Sequence, residues 1–153
     1  MPGSKTVLIA VAWGLVTSVF PRLSASGDIS LSTVLVFTWS AGMVFARTAF
    51  FAILDMQGDR IVGEETIPIL IGKERATTLL KWVLIVISAI LPLSGVFGLT
   101  PKLGFALAIC PIFLYMIIIA HERGDMLPGI RLEFLVETHF VLAGIITCLW
   151  FLL

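Results

Sequence analysis

The sequence predicts an all-α membrane protein with about five transmembrane helices. Apolar residues make up 59% of the 153 residues and charged residues only 13%, against roughly 45–50% and about 25% in soluble domains. Apolar runs long enough to cross a bilayer recur along the chain, and no alternating pattern typical of a transmembrane β-barrel occurs. The formal net charge is zero, so we expect membrane lipid around the helices and no nucleic-acid partner.

Five apolar runs are candidate membrane spans, and together they predict a single transmembrane helical domain over residues 1–153. The first run is the weakest, because Pro21 and Arg22 interrupt it and its start after Lys5 resembles a signal peptide. We interpret it as a retained helix, since the small-residue stretch that follows comes after an arginine and not after an apolar region. The predicted spans are residues 6–24, 31–54, 77–99, 103–120 and 134–153.

Basic residues concentrate on one side of the predicted membrane topology. Alternating spans place the N-terminus, the loop 55–75 and the loop 121–131 together. The positive-inside rule therefore predicts that loop 55–75 is cytoplasmic and that the C-terminus is outside, with a cell inner membrane as the location. The opposite side carries only Arg22 and Lys102. The basic residues of the cytoplasmic side are Lys5, Arg60, Lys73, Arg75, Lys81, Arg123 and Arg131.

The longest polar interruption, "DMQGDRIVGEETIPILIGKERA" at residues 55–76, contains a pair of aspartates. Asp55 and Asp59 are four residues apart, which places both carboxylates on one helical face with Cβ atoms about 6 Å apart. A divalent cation would relieve their mutual repulsion, and Mg²⁺ takes one or two carboxylates together with water and phosphate oxygens. Oxygen ligands without His or Cys favour Mg²⁺ or Mn²⁺ over zinc. The pair is therefore a candidate metal site and catalytic site.

Basic and helix-breaking residues surround the aspartate pair. Arg60, Lys73 and Arg75 could contact a phosphate that the metal does not neutralise. The helix breakers Gly63, Pro68 and Gly72 are expected to divide the loop into short pieces. The pattern thus indicates diphosphate handling at a membrane surface. The spacing alone leaves open an alternative, in which these charges only solvate the loop and provide the topological signal.

Three further polar residues lie in apolar runs. Arg47 comes about two turns before Asp55, and a costly intramembrane arginine is a functional candidate unless it extends to the interface. Glu137 and His139 open the last span, where we expect them to contact water and headgroups.

The run 55–76 resembles the second aspartate-rich motif of the UbiA-type intramembrane prenyltransferases, including its G-D-R, Thr-Ile-Pro and Gly-Lys-Glu-Arg-Ala. "AVAWGLVTSVFP" and "FLVETHFVLAGIITCLWFLL" resemble the fifth and ninth helices of that family, so the likeness covers essentially the whole chain. The resemblance implies a nine-helix fold in which two such motifs hold Mg²⁺ against an isoprenyl diphosphate. A lipophilic or aromatic acceptor then captures the prenyl group. Asp55 and Asp59 would be metal ligands, and Arg60, Lys73 and Arg47 would contact the diphosphate.

The sequence departs from the family pattern at the first motif, N-D-x-x-D-x-x-x-D, which it lacks. The chain therefore resembles the C-terminal half of the fold. We expect it to need a separate subunit with the missing helices and to be inactive alone. The alternatives are a non-catalytic membrane assembly subunit or a relic fragment. The D-G-x-x-A-R pattern of the CDP-alcohol phosphotransferases is absent.

Overall fold

The computed structural model describes residues 3–152, and every regular element in that range is a helix. The predicted fold class is confirmed. The end of the last predicted span, residue 153, lies outside the described residues. Within them, five helices are long enough and apolar enough to cross a membrane: Ser4–Ser26, Leu31–Leu54, Lys73–Val96, Leu103–Glu122 and Ile130–Leu152.

The first of these helices contains a π-helical turn. Pro21 has no amide hydrogen, so the carbonyl four residues earlier cannot receive its α-helical hydrogen bond, and the chain widens its turn just before the proline. Gly27 ends the helix in the left-handed conformation with φ 68°. The pieces are α1 (Ser4–Gly14), the π-helical turn Leu15–Val19 and α2 (Phe20–Ser26).

A first compact unit extends to Val83, and its main contact is between α1 and α3 (Leu31–Leu54). The two helices approach closely at Gly14. A Cβ atom there would lie 2.9 Å from both Ala41 Cβ and Phe37 Cε2. Small residues of this kind allow membrane helices to pack backbone against backbone.

Two short helices follow α3 in the same unit: α4 (Met56–Val62) and α5 (Ile67–Ile71). Gly63 ends α4 with φ 76°, and Gly72 follows α5 with φ 87°. Pro68 lies in the first turn of α5, where its missing amide hydrogen costs nothing. The predicted division of the loop into short pieces is confirmed, and α4 and α5 contact each other and α3.

A second compact unit begins at Leu84, within α6 (Lys73–Val96). Gly104 permits close packing in this unit, because a Cβ atom there would lie 2.9 Å from the carbonyl oxygen of Leu91. The remaining helices are α7 (Leu103–Leu107), α8 (Ile109–Glu122) and α9 (Ile130–Leu152).

The expectation that Glu137 and His139 contact water and headgroups is wrong for the histidine. His139 is 0% exposed, and its Nδ1 is hydrogen-bonded to the carbonyl of Val136 within α9. Glu137 is half-buried. Packing within the protein therefore surrounds His139, although the sequence places it near the start of a membrane span.

Candidate functional site

The two aspartates of the candidate site lie at the junction of α3 and α4. The amide of Asp55 donates to the carbonyl of Phe51 at 2.9 Å, and the amide of Asp59 donates to the carbonyl of Asp55 at 3.0 Å. The helical hydrogen-bond ladder thus continues through the junction, although Asp55 itself has φ −97° and ψ 17°. Asp55 is exposed and Asp59 is half-buried. The carboxylates therefore occur one turn apart, at the end of the second membrane span.

Gly58 provides the space that the Asp55 side chain occupies. A Cβ atom at residue 58 would lie 2.5 Å from Asp55 Oδ1, well inside contact distance. The carboxylate therefore lies against the backbone of the first turn of α4.

The loop after α4 is held by the start of α1. The amide of Glu64 donates to the Asp59 carbonyl at 2.9 Å, and the amide of Gly3 donates to the Glu65 carbonyl at 2.8 Å. Lys5 Nζ donates to both carboxylate oxygens of Glu64 at 3.0 Å. The sequence predicts only a topological role for Lys5, because no local pattern connects residues that are 59 positions apart.

The predicted basic residues take different positions around the aspartates. Arg60 is exposed in the last turn of α4, and Lys73 is exposed at the first residue of α6. Among residues 3–152, neither of them forms an ion pair with Asp55 or Asp59.

The fifth predicted residue, Arg47, lies on α3 about two turns before the aspartates. It is half-buried, and its guanidinium carbon lies 4.8 Å from the centre of the Phe51 ring. Phe51 is one turn further along α3, and its carbonyl accepts the amide hydrogen bond of Asp55. This cation–π contact keeps the Arg47 side chain directed along α3 toward the end that carries Asp55.

Two carboxylates of this kind can hold a cation only with help from other oxygens. Within the described part of the chain, no three His, Cys, Asp or Glu side chains come together as a metal-binding group. Structural zinc sites need four protein ligands, which the aspartate pair does not supply. Mg²⁺ accepts one or two carboxylates and takes its other ligands from water and phosphate. The donor set fits Mg²⁺ or Mn²⁺ bound together with a phosphorylated substrate.

The fold and this site define a polytopic helical membrane protein with paired carboxylates at the mouth of a span. The chain is similar to the digeranylgeranylglyceryl phosphate synthase of two strains of Halobacterium salinarum. Each is 28% identical to it over 154 aligned residues, which cover 95% of this chain and 53% of the relative. The chain thus spans about half the length of these relatives. No protein-family profile and no solved structure matches it.

The similarity extends over nearly the whole chain, so it does not depend on the aspartate motif alone. It supports a distant relationship to these digeranylgeranylglyceryl phosphate synthases. Together with the five apolar helices, it indicates an integral membrane protein.

Proposed function

We propose that this chain carries one metal-binding half of a membrane prenyltransferase site, in which Asp55 and Asp59 bind Mg²⁺ or Mn²⁺ against an isoprenyl diphosphate. The observation that carries the proposal is the geometry of the pair: two carboxylates in consecutive helical turns, where a membrane span ends. A lipid-soluble prenyl chain can lie in the bilayer while its diphosphate remains at this interface.

Several residues of this chain would together offset the negative charge of the diphosphate. Asp55 and Asp59 bind the metal, which when present offsets negative charge on the leaving group. Arg60, Lys73 and Arg47 are proposed to offset part of the remaining charge. The bond between the prenyl carbon and the diphosphate oxygen breaks, a bond from that carbon to the acceptor forms, and the acceptor loses a proton.

The relatives' name supports a proposal for the substrate class. Digeranylgeranylglyceryl phosphate contains two geranylgeranyl groups on glyceryl phosphate. We therefore propose geranylgeranyl diphosphate as the donor and a lipophilic glyceryl phosphate as the acceptor. Because one aspartate pair offsets only part of the diphosphate charge, we also propose that a second set of helices supplies a facing aspartate motif.

Binding of the donor tests the proposal. The purified chain in lipid nanodiscs is titrated with geranylgeranyl diphosphate in Mg²⁺ and, separately, in EDTA. We expect binding only with Mg²⁺, weakened about tenfold or more by Asp55→Asn or Asp59→Asn because each removes a metal ligand. Asp28→Asn is the matched control, since Asp28 lies in the loop at the other end of α3. Unchanged binding in both site variants would contradict the proposal.

A further inference from the structure

Thr66 is the N-cap residue that precedes α5, but its side chain does not cap the helix. Its carbonyl accepts hydrogen bonds from the amides of Ile69 and Leu70, both at 3.1 Å, as expected of an N-cap residue. The side-chain oxygen of a threonine in this position normally accepts a hydrogen bond from an amide of the first turn. Here the side chain makes no such bond. The hydroxyl is therefore available for another partner.

The hydroxyl of Thr66 is also buried. Its Oγ1 has no hydrogen-bond partner among the residues that the structure describes. Nearby threonines differ, since the hydroxyls of Thr77 and Thr78 each donate to a carbonyl one turn earlier at 2.9 Å. A buried hydroxyl without a partner costs folding free energy. Such a group calls for a hydrogen-bond partner from outside the protein, and a bound ligand is one such partner.

The backbone places Thr66 at the same end of the first unit as the aspartates. The Glu64 amide is bonded to the Asp59 carbonyl at 2.9 Å, and Thr66 follows two residues later. Two residues span at most about 7 Å, so the Thr66 backbone nitrogen lies within roughly 10 Å of the Asp59 carbonyl oxygen. The bond from Gly3 to the Glu65 carbonyl fixes the intervening loop.

We propose that the Thr66 hydroxyl donates a hydrogen bond to the diphosphate group bound at Asp55 and Asp59. The inference rests on the proposed function. A hydroxyl that donates to a charged phosphate oxygen forms a charge-assisted bond, which is stronger than a neutral one. The hydroxyl that is unsatisfied without ligand thereby gains a partner when the ligand binds. The diphosphate group is common to an isoprenyl diphosphate and to the inorganic diphosphate left after transfer.

The test compares Thr66→Val with Thr66→Ser in the full chain. The control is Thr38→Val, because the Thr38 hydroxyl is already bonded to the Val34 carbonyl at 2.8 Å. Mg²⁺-dependent affinity is measured in two arms, one with inorganic pyrophosphate and one with geranylgeranyl diphosphate. We expect Thr66→Val to weaken both about tenfold, the value of one hydrogen bond to a charged group. Thr66→Ser and the control should bind like the wild type.

The unliganded melting midpoint separates binding from a structural role. Thr66→Val should melt no lower than the wild type, because its hydroxyl has no internal bond to lose. A lower midpoint for this variant would contradict the inference. So would weakening confined to geranylgeranyl diphosphate, since the contact would then not be to the diphosphate group.

The two proposals fail in different ways. If Asp59→Asn weakens Mg²⁺-dependent binding about tenfold or more while Thr66→Val leaves it unchanged, the inference about Thr66 is wrong and the proposed function stands. If the wild type shows no Mg²⁺-dependent binding of either probe, both are wrong.

Discussion

The carboxylate of Asp55 lies where a side chain on Gly58 would have to be. A Cβ atom at residue 58 would stand 2.5 Å from Asp55 Oδ1 and 3.1 Å from its Cγ. Gly58 does not have a positive φ, so an alanine could adopt the same backbone conformation. The glycine is therefore required for the position of the carboxylate and not for the path of the chain.

Replacing Gly58 by Ala should weaken Mg²⁺-dependent diphosphate binding without lowering the thermal stability of the fold. Alanine favours a helix interior by up to about 1 kcal/mol over glycine, so the melting midpoint should stay the same or rise. The displaced Asp55 carboxylate should weaken Mg²⁺-dependent diphosphate binding. Calorimetric titration and thermal unfolding of the same preparation check both expectations.

Gly144→Ala is the matched control for this change. Gly144 lies in α9, and a Cβ atom there would have no neighbouring atom within 4 Å, so alanine should add helix stability without altering binding. Full affinity in Gly58→Ala would show that the observed position of the Asp55 carboxylate does not matter for the metal.

Substitution of Arg47 distinguishes a diphosphate contact from an arginine that only extends to the interface. The guanidinium, stacked 4.8 Å from the Phe51 ring, should assist diphosphate binding by its charge. We expect Arg47→Met to weaken Mg²⁺-dependent binding about tenfold, because one charge-assisted hydrogen bond is lost. Arg47→Lys should weaken it less, because lysine retains a charged donor. Arg22→Met is the control. Wild-type affinity in Arg47→Met would favour the interfacial interpretation.

Packing of α1 on α3 should depend on the absence of a side chain at Gly14. Gly14→Ala places a methyl group 2.9 Å from Ala41 Cβ and Phe37 Cε2, and overpacking typically costs about 1–3 kcal/mol. The comparison is again Gly144→Ala, which makes the same chemical change in an open position. Unfolding in detergent should show Gly14→Ala as the less stable of the two. Equal stability would mean that α1 and α3 accommodate the added methyl group without loss of packing energy.

The membrane orientation stays a prediction that cysteine labelling can check. In a variant without Cys110 and Cys148, a thiol at Ser26 should react with a membrane-impermeant reagent from outside, and one at Glu65 only from the cytoplasm. Glu65 is preferred to Gly63, whose φ of 76° would strain a substituted residue. The reverse labelling pattern would overturn the cytoplasmic placement of the site.

Much of the helical fold could be predicted because hydropathy reports where the chain is apolar. The span 31–54 agrees with the structure at both ends, since polar Ser30 and Asp55 flank the apolar run. Hydropathy predicts a third span from residue 77, but α6 begins at Lys73. Hydropathy marks where the apolar residues start, whereas a helix can begin with a polar turn at the interface.

Contacts between distant residues could not be predicted in the same way. The spacing of Asp55 and Asp59 places them one turn apart, and the structure agrees. Nothing local indicates that Lys5 would pair with Glu64. The burial of His139 could not be predicted either, because the apolar residues of α9 are not confined to one face and so do not show which side packs against protein.

The central claim is that this chain supplies one half of a prenyl-transfer site. The most direct measurement is transfer of a radiolabelled geranylgeranyl group to a lipophilic glyceryl phosphate, with the chain alone and co-expressed with a helical subunit that carries the N-D-x-x-D-x-x-x-D motif. We predict product only from the combination, because one aspartate motif leaves much of the leaving-group charge unbalanced. Product formation by the combination should be lost when Asp59 is replaced by Asn. Turnover by the chain alone, or by the combination despite Asp59→Asn, would contradict the account.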